Sequence, residues 1–336
     1  MRRPWPDGPQ PAAAPRSPLH PQQIARHQLL AKRPHRDAPV TQPILVLTTP
    51  NRDQLDLFLK YNLEATVCDL QTVRQLNQLA KAKKTTADIH IKIDTGMRRI
   101  GVEVKDAIKF VEKILKMSNL SIKGICTHFA TSDEKNLTYA NEQLKIFRSI
   151  VTELELRGIH IPLVHCANSG AIMQMPDSFF DMVRPGIMMY GYAPSNEFET
   201  KLLLKPVLSL KAKIGFVKRV EQGQSISYNR RFITKKQTNI ATVTVGYADG
   251  FFRLLTNNSF ALIKGKRFPI VGTICMDQIM IDVGDEKLKI GDDVVLIGKS
   301  GEELITAEDV AAQIRTIPYE ILCAISQRVP RKHIHG

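Results

Sequence analysis

Cysteine is scarce in this chain, tryptophan nearly absent, and long apolar runs missing, and each shortage removes a class of protein. The five cysteines (Cys68, Cys126, Cys166, Cys275 and Cys323) are odd in number, scattered, and never spaced as C-x-x-C. They read as small buried hydrophobes in a reducing compartment, which excludes a disulfide scaffold and a zinc module. No apolar stretch approaches the ~20 residues that a bilayer-spanning helix needs, so no membrane partner and a cytoplasmic location are expected. Acidic residues are also short, 33 against 47 Lys and Arg, for a net charge of +14. Residues 1–42 hold seven Lys/Arg and two Asp/Glu, and the rest of the excess is dispersed. Trp5 is the only tryptophan, and no dense basic run is interleaved with aromatics. That pattern speaks against nucleic acid and for a surface that attracts small anionic metabolites.

What is present is a soluble composition, 43% apolar and 24% charged, over 336 residues, enough for two domains with ample cores. Residues 1–38 form a proline- and arginine-rich leader without apolar periodicity, read as disordered or non-native. From Pro43 the pattern becomes regular. Short β-branched runs at Ile44–Leu47, Ala65–Val67, 88–93, Ile122–Phe129, Leu163–Ala167 and Met182–Gly186 read as strands. Between them lie helical patterns through Leu55, Phe58 and Leu59; through Leu70, Val73, Leu76 and Leu79 with Asp69 as cap; through Ala107, Ile108, Val111, Ile114 and Leu115; and through Leu144, Phe147, Ile150, Val151 and Leu154, closed by Gly158. Repeated strand–helix units predict a parallel sheet of (β/α)8-barrel type over residues 39–203.

Past residue 204 the rhythm changes. Leu208, Leu210, Ala212, Ile214 and Phe216 alternate, as do Ala241, Val243 and Val245. Further β-rich runs follow at Phe260–Ile263, Ile270–Val283 and Val294–Ile297, and Thr306 with Asp309 marks a helix start. Residues 204–336 are therefore expected to be a mainly β domain, and the fold class α/β.

One segment stands out, Ile91-Lys92-Ile93-Asp94-Thr95-Gly96-Met97-Arg98-Arg99. It is a strand whose end brings Lys92, Asp94 and Arg99 together, and parallel α/β sheets assemble chemistry at such ends. Later strand ends carry His128, then Asn168-Ser169-Gly170, then Arg184-Pro185-Gly186-Ile187. Ser169, Gly186 and Ile187 can offer a hydroxyl and backbone N–H groups to a phosphate.

These residues carry a resemblance. The stretches K-I-D-T-G-M-x-R-I-G-V (92–102), T-H-F-A (127–130), H-C-A-N-S (165–169), R-P-G-I-x-M-Y-G (184–191), S-Y-N-R-R-F (227–232), V-G-Y-A-D-G (245–250), V-G-T-I-C-M-D-Q (271–278), Y-E-I (319–321) and R-V-P-R (328–331) occur in order. Together they resemble bacterial alanine racemase, the fold type III family that uses pyridoxal 5'-phosphate. The resemblance implies interconversion of L- and D-alanine, supplying D-alanine for peptidoglycan, by a homodimer with shared active sites. It implies Tyr228 as the base acting on L-alanine in the neighbouring subunit, with His128 and Arg184 as the groups that tune a phenol. Arg184 would also face the pyridine nitrogen. Ser169, Gly186, Ile187 and Tyr319 would hold the phosphate, with Asn168 beside them. Arg99 and the backbone of Met276 would bind the substrate carboxylate. Lys92 would be the residue carbamylated in many members, orienting Arg99, and Tyr247 and Asp277 would line the mouth of the site. No metal is implied.

One family element is not met in this sequence. The motif resembling V-K-A-N-A-Y-G-H-G, whose lysine anchors the cofactor and acts as the second base, does not occur, and Lys32 lies in Ala-Lys-Arg-Pro-His without a preceding β-run. The first two strand–helix units are expected to be missing with it, their place taken by the leader. Three readings stay open: a racemase sequence with a mis-assigned start or frame-shift, a catalytically dead PLP-binding or scaffold remnant, and a basic module that binds anions through its leader.

Overall fold

The computed structural model describes residues 41–195 and 202–334. The leader and Lys32 lie outside the described residues. By internal contacts the chain divides into two units. One comprises Met1–Ser132, Asn136–Ala167 and Met175–Arg184; the other comprises Asp133–Lys135, Asn168–Gln174 and Pro185–Gly336.

The first unit is a parallel half-barrel. Its strands are β1 (Ile44–Val46), β2 (Leu63–Val67), β3 (Ala87–Asp94), β4 (Val102–Glu103), β5 (Leu120–Cys126) and β6 (Leu163–His165). They pair in the order β1-β2-β3-β5-β6, with β4 added beside β3, and every pairing is parallel. The helices α1 (Leu55–Lys60), α2 (Leu70–Ala82), α3 (Ala107–Leu115) and α4 (Thr138–Leu156) alternate with them. Each forms for a local reason. Asp69 starts α2, its Oδ1 accepting the Thr72 N–H at 2.8 Å. Val73, Leu76 and Ala80 then bury one stripe, each large aliphatic chain contributing about 1.5–3 kcal/mol. After α4 the chain turns at Gly158, whose φ of 72° a Cβ would disfavour.

Three expectations need correction in this unit. In α3 the buried stripe is Ala107, Phe110, Val111 and Ile114, while Leu115 is exposed, because the 3.6-residue period carries it off the face. The strand expected over Ile122–Phe129 runs over Leu120–Cys126, so His128 and Phe129 sit in the loop beyond it. Met182–Gly186 is not a strand: it is held to the preceding segment by Asp181 N–H to Val164 O and Arg184 N–H to Ala167 O, and Pro185 cannot donate to continue a ladder.

The second unit begins with a short helix, α5 (Ser169–Gln174), and is otherwise mainly antiparallel. Its strands are β7 (Leu210–Val220), β8 (Ser225–Ile226), β9 (Phe232–Ile233), β10 (Thr238–Val243), β11 (Phe260–Ile263), β12 (Lys266–Pro269), β13 (Ile279–Gly284), β14 (Asp293–Ser300) and β15 (Glu303–Ile305). The main sheet has the order β12-β11-β14-β7-β10-β13, with β15 on β14, and β8 and β9 form a separate hairpin. Helices α6 (Ala307–Gln313) and α7 (Pro318–Ala324) close the chain. Thr306 and Asp309 form the capping box at α6, Thr306 Oγ1 accepting the Asp309 N–H at 3.0 Å.

Phe216 breaks the alternation expected of β7. It pairs with Thr242, yet Val243 pairs with Ile214, so Gly215 is an extra residue that reverses the sides of the strand. Val217 therefore packs on the core, and Phe216 is 53% exposed.

Candidate functional site

In the first unit the site is built on the ends of β3, β5 and β6. Lys92, two residues before the end of β3, is only 6% exposed, and burial lowers its pKa, assisted by the charges of Arg99 and Arg184. No carboxylate lies within ion-pair distance of it among the described residues. Arg99 is exposed on the following turn. Asp94 is a structural residue: its Oδ1 accepts the N–H groups of Gly96 and Arg98 at 2.9 and 3.0 Å and so fixes the turn. Gly101 is required beside it, because a Cβ there would lie 2.5 Å from the Asp94 nitrogen.

Arg184 is the centre of a buried polar cluster. Nη1 donates to His165 Nδ1 at 2.6 Å. Nη2 donates to Thr127 O at 2.9 Å and Cys166 O at 3.0 Å, and reaches His128 Nδ1 at 3.3 Å. Among the described residues this cation has no ion pair, and its Nε–H and second Nη1–H have no hydrogen-bond partner. A guanidinium is donor-only, so His165 Nδ1 must accept and that ring carries its proton on Nε2; for His128 the same tautomer is the one that suits the longer approach of Nη2, whose two N–H groups are shared among three acceptors. Burial and then the Arg184 charge push the pKa of His128 down to about 3 and that of His165 to about 2, so both rings stay neutral near pH 7. Gln143, wholly buried on α4, ties the neighbouring loops together. It accepts the Ala130 N–H at 2.9 Å and donates to His128 O at 3.2 Å and to Thr95 Oγ1 at 3.3 Å.

The second unit holds the remaining candidates. Asn168 caps α5, its Oδ1 accepting the Ala171 N–H at 3.0 Å. Ser169 Oγ accepts the Gly186 N–H at 2.8 Å and keeps its own O–H as a donor. Gly186 precedes the turn Ile187–Tyr190, which no side chain caps. Tyr319 lies at the start of α7, its pKa raised by burial and then by Asp133. Tyr228 is 68% exposed in a turn of unusual backbone: Ser227, Asn229 and Arg230 all have positive φ, 66°, 60° and 51°. Ser227 Oγ donates to Thr273 O at 2.6 Å and Thr273 Oγ1 donates to Tyr228 O at 2.8 Å, clamping that turn from below. Met276 is 52% exposed, and its carbonyl accepts the Ala248 N–H at 3.0 Å. Tyr247 is exposed, and Asp277 accepts from Arg328 at 2.6 Å.

The structure thus gathers Lys92, His128 and Arg184 in one unit and Ser169, Gly186 and Ile187 in the other. Sequence reasoning missed Glu64, His90 and Gln143 and did not single out His165. A usable signal was present in Ile89-His90-Ile91, where a histidine interrupts an otherwise buried β-branched run. No cluster of metal-ligating side chains occurs among the described residues.

A parallel half-barrel with a half-buried cation at its strand ends, followed in the chain by an antiparallel β unit, defines a barrel-type α/β protein. The comparisons narrow the class. The family model "Alanine racemase, N-terminal domain" matches residues 29–194, and "Alanine racemase, C-terminal domain" matches residues 207–333. The chain is 46% identical over 298 residues to alanine racemase 2 of Caldanaerobacter subterraneus subsp. tengcongensis, covering 88% of this chain and 77% of that protein. A solved alanine racemase of Clostridium difficile 630 superposes with a TM-score of 0.81 at 41% identity, covering 86% of this chain and 76% of that one. The solved alanine racemase of Bartonella henselae, described with covalently bound pyridoxal phosphate, gives a TM-score of 0.77 at 29% identity, covering 88% and 80%. This chain belongs to the alanine racemase family, a family of isomerases. Nothing in these likenesses favours a non-catalytic remnant or a nucleic-acid module.

Proposed function

We propose that this protein interconverts L- and D-alanine with pyridoxal phosphate as a cytoplasmic homodimer with shared active sites. The observation that carries the reading is Arg184: a half-buried, donor-only cation, flanked by two neutral imidazoles, with two N–H groups still unspent. The residues present fit the phosphate and ring-nitrogen ends of the cofactor. Ser169 keeps a hydroxyl donor, and the Ile187 turn begins uncapped. No helix among the described residues is long and apolar enough to cross a membrane.

When bound, the cofactor supplies an electron sink for the pair left at Cα after proton removal. Arg184 would face the ring nitrogen and, unable to surrender a proton, would leave that nitrogen unprotonated and the sink weak, which limits side reactions. Ser169, Gly186, Ile187 and Tyr319 would hold the phosphate, and Asn168 would support them by capping α5. The Met276 N–H and Arg99 would receive the substrate carboxylate. Lys92, once carbamylated, would become an anion that orients Arg99. Tyr228 would take the Cα proton of L-alanine in the partner subunit, and the Nε2–H of His128 would be the donor that steadies a phenolate there. Tyr247 and Asp277 would line the mouth of the site. The exposure of Tyr228, Tyr247 and Met276 supports a second copy as the surface they meet. The role of the family's motif lysine is assigned to none of the described residues. We put the domain division near residue 203, a reading supported by the gap between the two family matches, which end at 194 and begin at 207.

The test is uptake of deuterium at Cα of L-alanine, in deuterated water with added pyridoxal phosphate. The protein is expected to exchange that proton, and Tyr228→Phe to lose about 100-fold or more of the rate. Equal exchange by Tyr228→Phe and the parent would contradict the assignment. The D-alanine formed in the same mixture reports whether an amine of this protein serves as the second base.

A further inference from the structure

Behind Arg184 a line of hydrogen bonds continues through residues to which the proposed reaction gives no role. His165, which accepts from Arg184 through Nδ1, approaches His90 Nδ1 with its Nε2 at 2.9 Å. His90 Nε2 in turn lies 3.0 Å from Glu64 Oε2. His90 and His165 are fully buried, and the Glu64 side chain is only 13% exposed. The direction of the line follows from its ends. Arg184 can only donate and an ionised carboxylate can only accept. His165 must then donate from Nε2 to His90 Nδ1, and His90 must donate from Nε2 to Glu64. Each internal atom has one possible role, and all are satisfied.

The line runs from β2 through β3 to β6, and it must cross β5. His90 is in register with Gly124 on β5, and Gly124 with Leu163 on β6. A Cβ at Gly124 would lie 2.3 Å from His90 Nδ1 and 2.6 Å from its Cε1. Glycine is the residue that lets two histidines on non-adjacent strands meet above the strand between them. The line also answers an electrostatic question. Arg184 is half-buried with no carboxylate in contact among the described residues, and leaving a cation uncompensated as it is withdrawn from water is unfavourable. Glu64 supplies the opposite charge, relayed by two polarised imidazoles.

We propose that Glu64 is the positioning residue for Arg184: acting through His90 and His165 across the gap at Gly124, it closes the line as its final acceptor, fixes the His90 tautomer, and holds the guanidinium's unspent N–H groups ready for the site. This rests on the reading of Arg184 as the group that meets the cofactor ring, but its test does not require cofactor or turnover.

The experiment is nitrogen-15 NMR of the protein labelled at histidine and arginine, with ring signals assigned through single histidine replacements. In the parent, His90 and His165 are expected as neutral rings protonated on Nε2 alone, and the Arg184 Nη signals as separate resonances of a guanidinium that does not rotate freely. Glu64→Leu removes the acceptor and Gly124→Ala blocks the crossing. Glu64→Leu should release the His90 ring to exchange between tautomers, and each variant should merge the Arg184 signals, while Glu64→Gln, which still offers a carbonyl oxygen, should retain the parent pattern. Separate Arg184 signals as before in Glu64→Leu would overturn the proposal, since a local packing role for Glu64 would not reach a guanidinium beyond two imidazoles. Should neither disruptive variant fold, the parent spectrum decides: a proton on Nδ1 of His90 or His165 contradicts the line outright. Loss of alanine exchange in a parent showing the expected tautomers would instead count against the functional reading alone.

Discussion

The two units keep their chemistry in opposite conditions. In the half-barrel the charged and titratable groups are drawn inward: Lys92, His90 and His165 are buried, and the half-buried Arg184 alone makes four side-chain contacts. In the antiparallel unit Tyr228, Tyr247 and Met276 project from well-packed supports into solvent. Buried groups have their protonation set by the fold that encloses them, whereas exposed groups acquire a defined environment only against a partner. The difference teaches where each kind of substitution should register: in stability for the first unit, in rate for the second.

The largest effect should come from Arg184→Leu. It strands Thr127 O, Cys166 O and His165 Nδ1 as buried acceptors, and the expected loss is about 3–5 kcal/mol in urea unfolding. A loss below about 1 kcal/mol would mean that the cluster is wetter than its geometry indicates.

Acid should come next. His128 and His165 have folded-state pKa values pushed from 6.5 to about 3 and about 2, so below pH 6.5 the unfolded chain takes up protons that the native chain refuses. Stability is then complete above pH 6.5 and falls as pH drops toward about 3, by up to about 1.4 kcal/mol per pH unit for each ring. A urea midpoint independent of pH between 6 and 4 would break the claim that these rings are held neutral. At the small end, Tyr228→Phe should leave stability within about 0.5 kcal/mol of the parent despite its effect on rate, because the phenol is 68% exposed.

Much of the frame was legible from local chemistry. Asp69 before a three- to four-residue apolar period, Gly158 after one, and Thr306 with Asp309 each act within a single turn, and each sits where its pattern indicated. What was illegible depended on distant pairing. Phe216 reads as a core residue until Gly215 is seen to be a bulge against β10. Met182–Gly186 reads as a strand until Arg184 N–H to Ala167 O is seen to be its one backbone bond to the preceding segment. The site divided in the same way. Strand-end motifs singled out Lys92, His128, Ser169 and Arg184 as candidates, because loops after strands carry their chemistry in short contiguous words. Glu64 and His90 were silent because their partner lies 75 residues further on from His90, and only sheet register brings the pair together.

The contrast between an internally bonded cluster and an exposed phenol is tested most directly by mixing two variants defective in opposite units. Arg184→Lys keeps the charge but loses the planar fork, and Tyr228→Phe loses the base. Each alone should exchange the Cα proton of L-alanine slowly. Dissociated together and reassembled, half the dimers should be mixed, each with one site intact, and exchange should recover to about a quarter of the parent rate. A mixture no faster than its two components would contradict the claim that Tyr228 of one subunit completes the Arg184 site of the other.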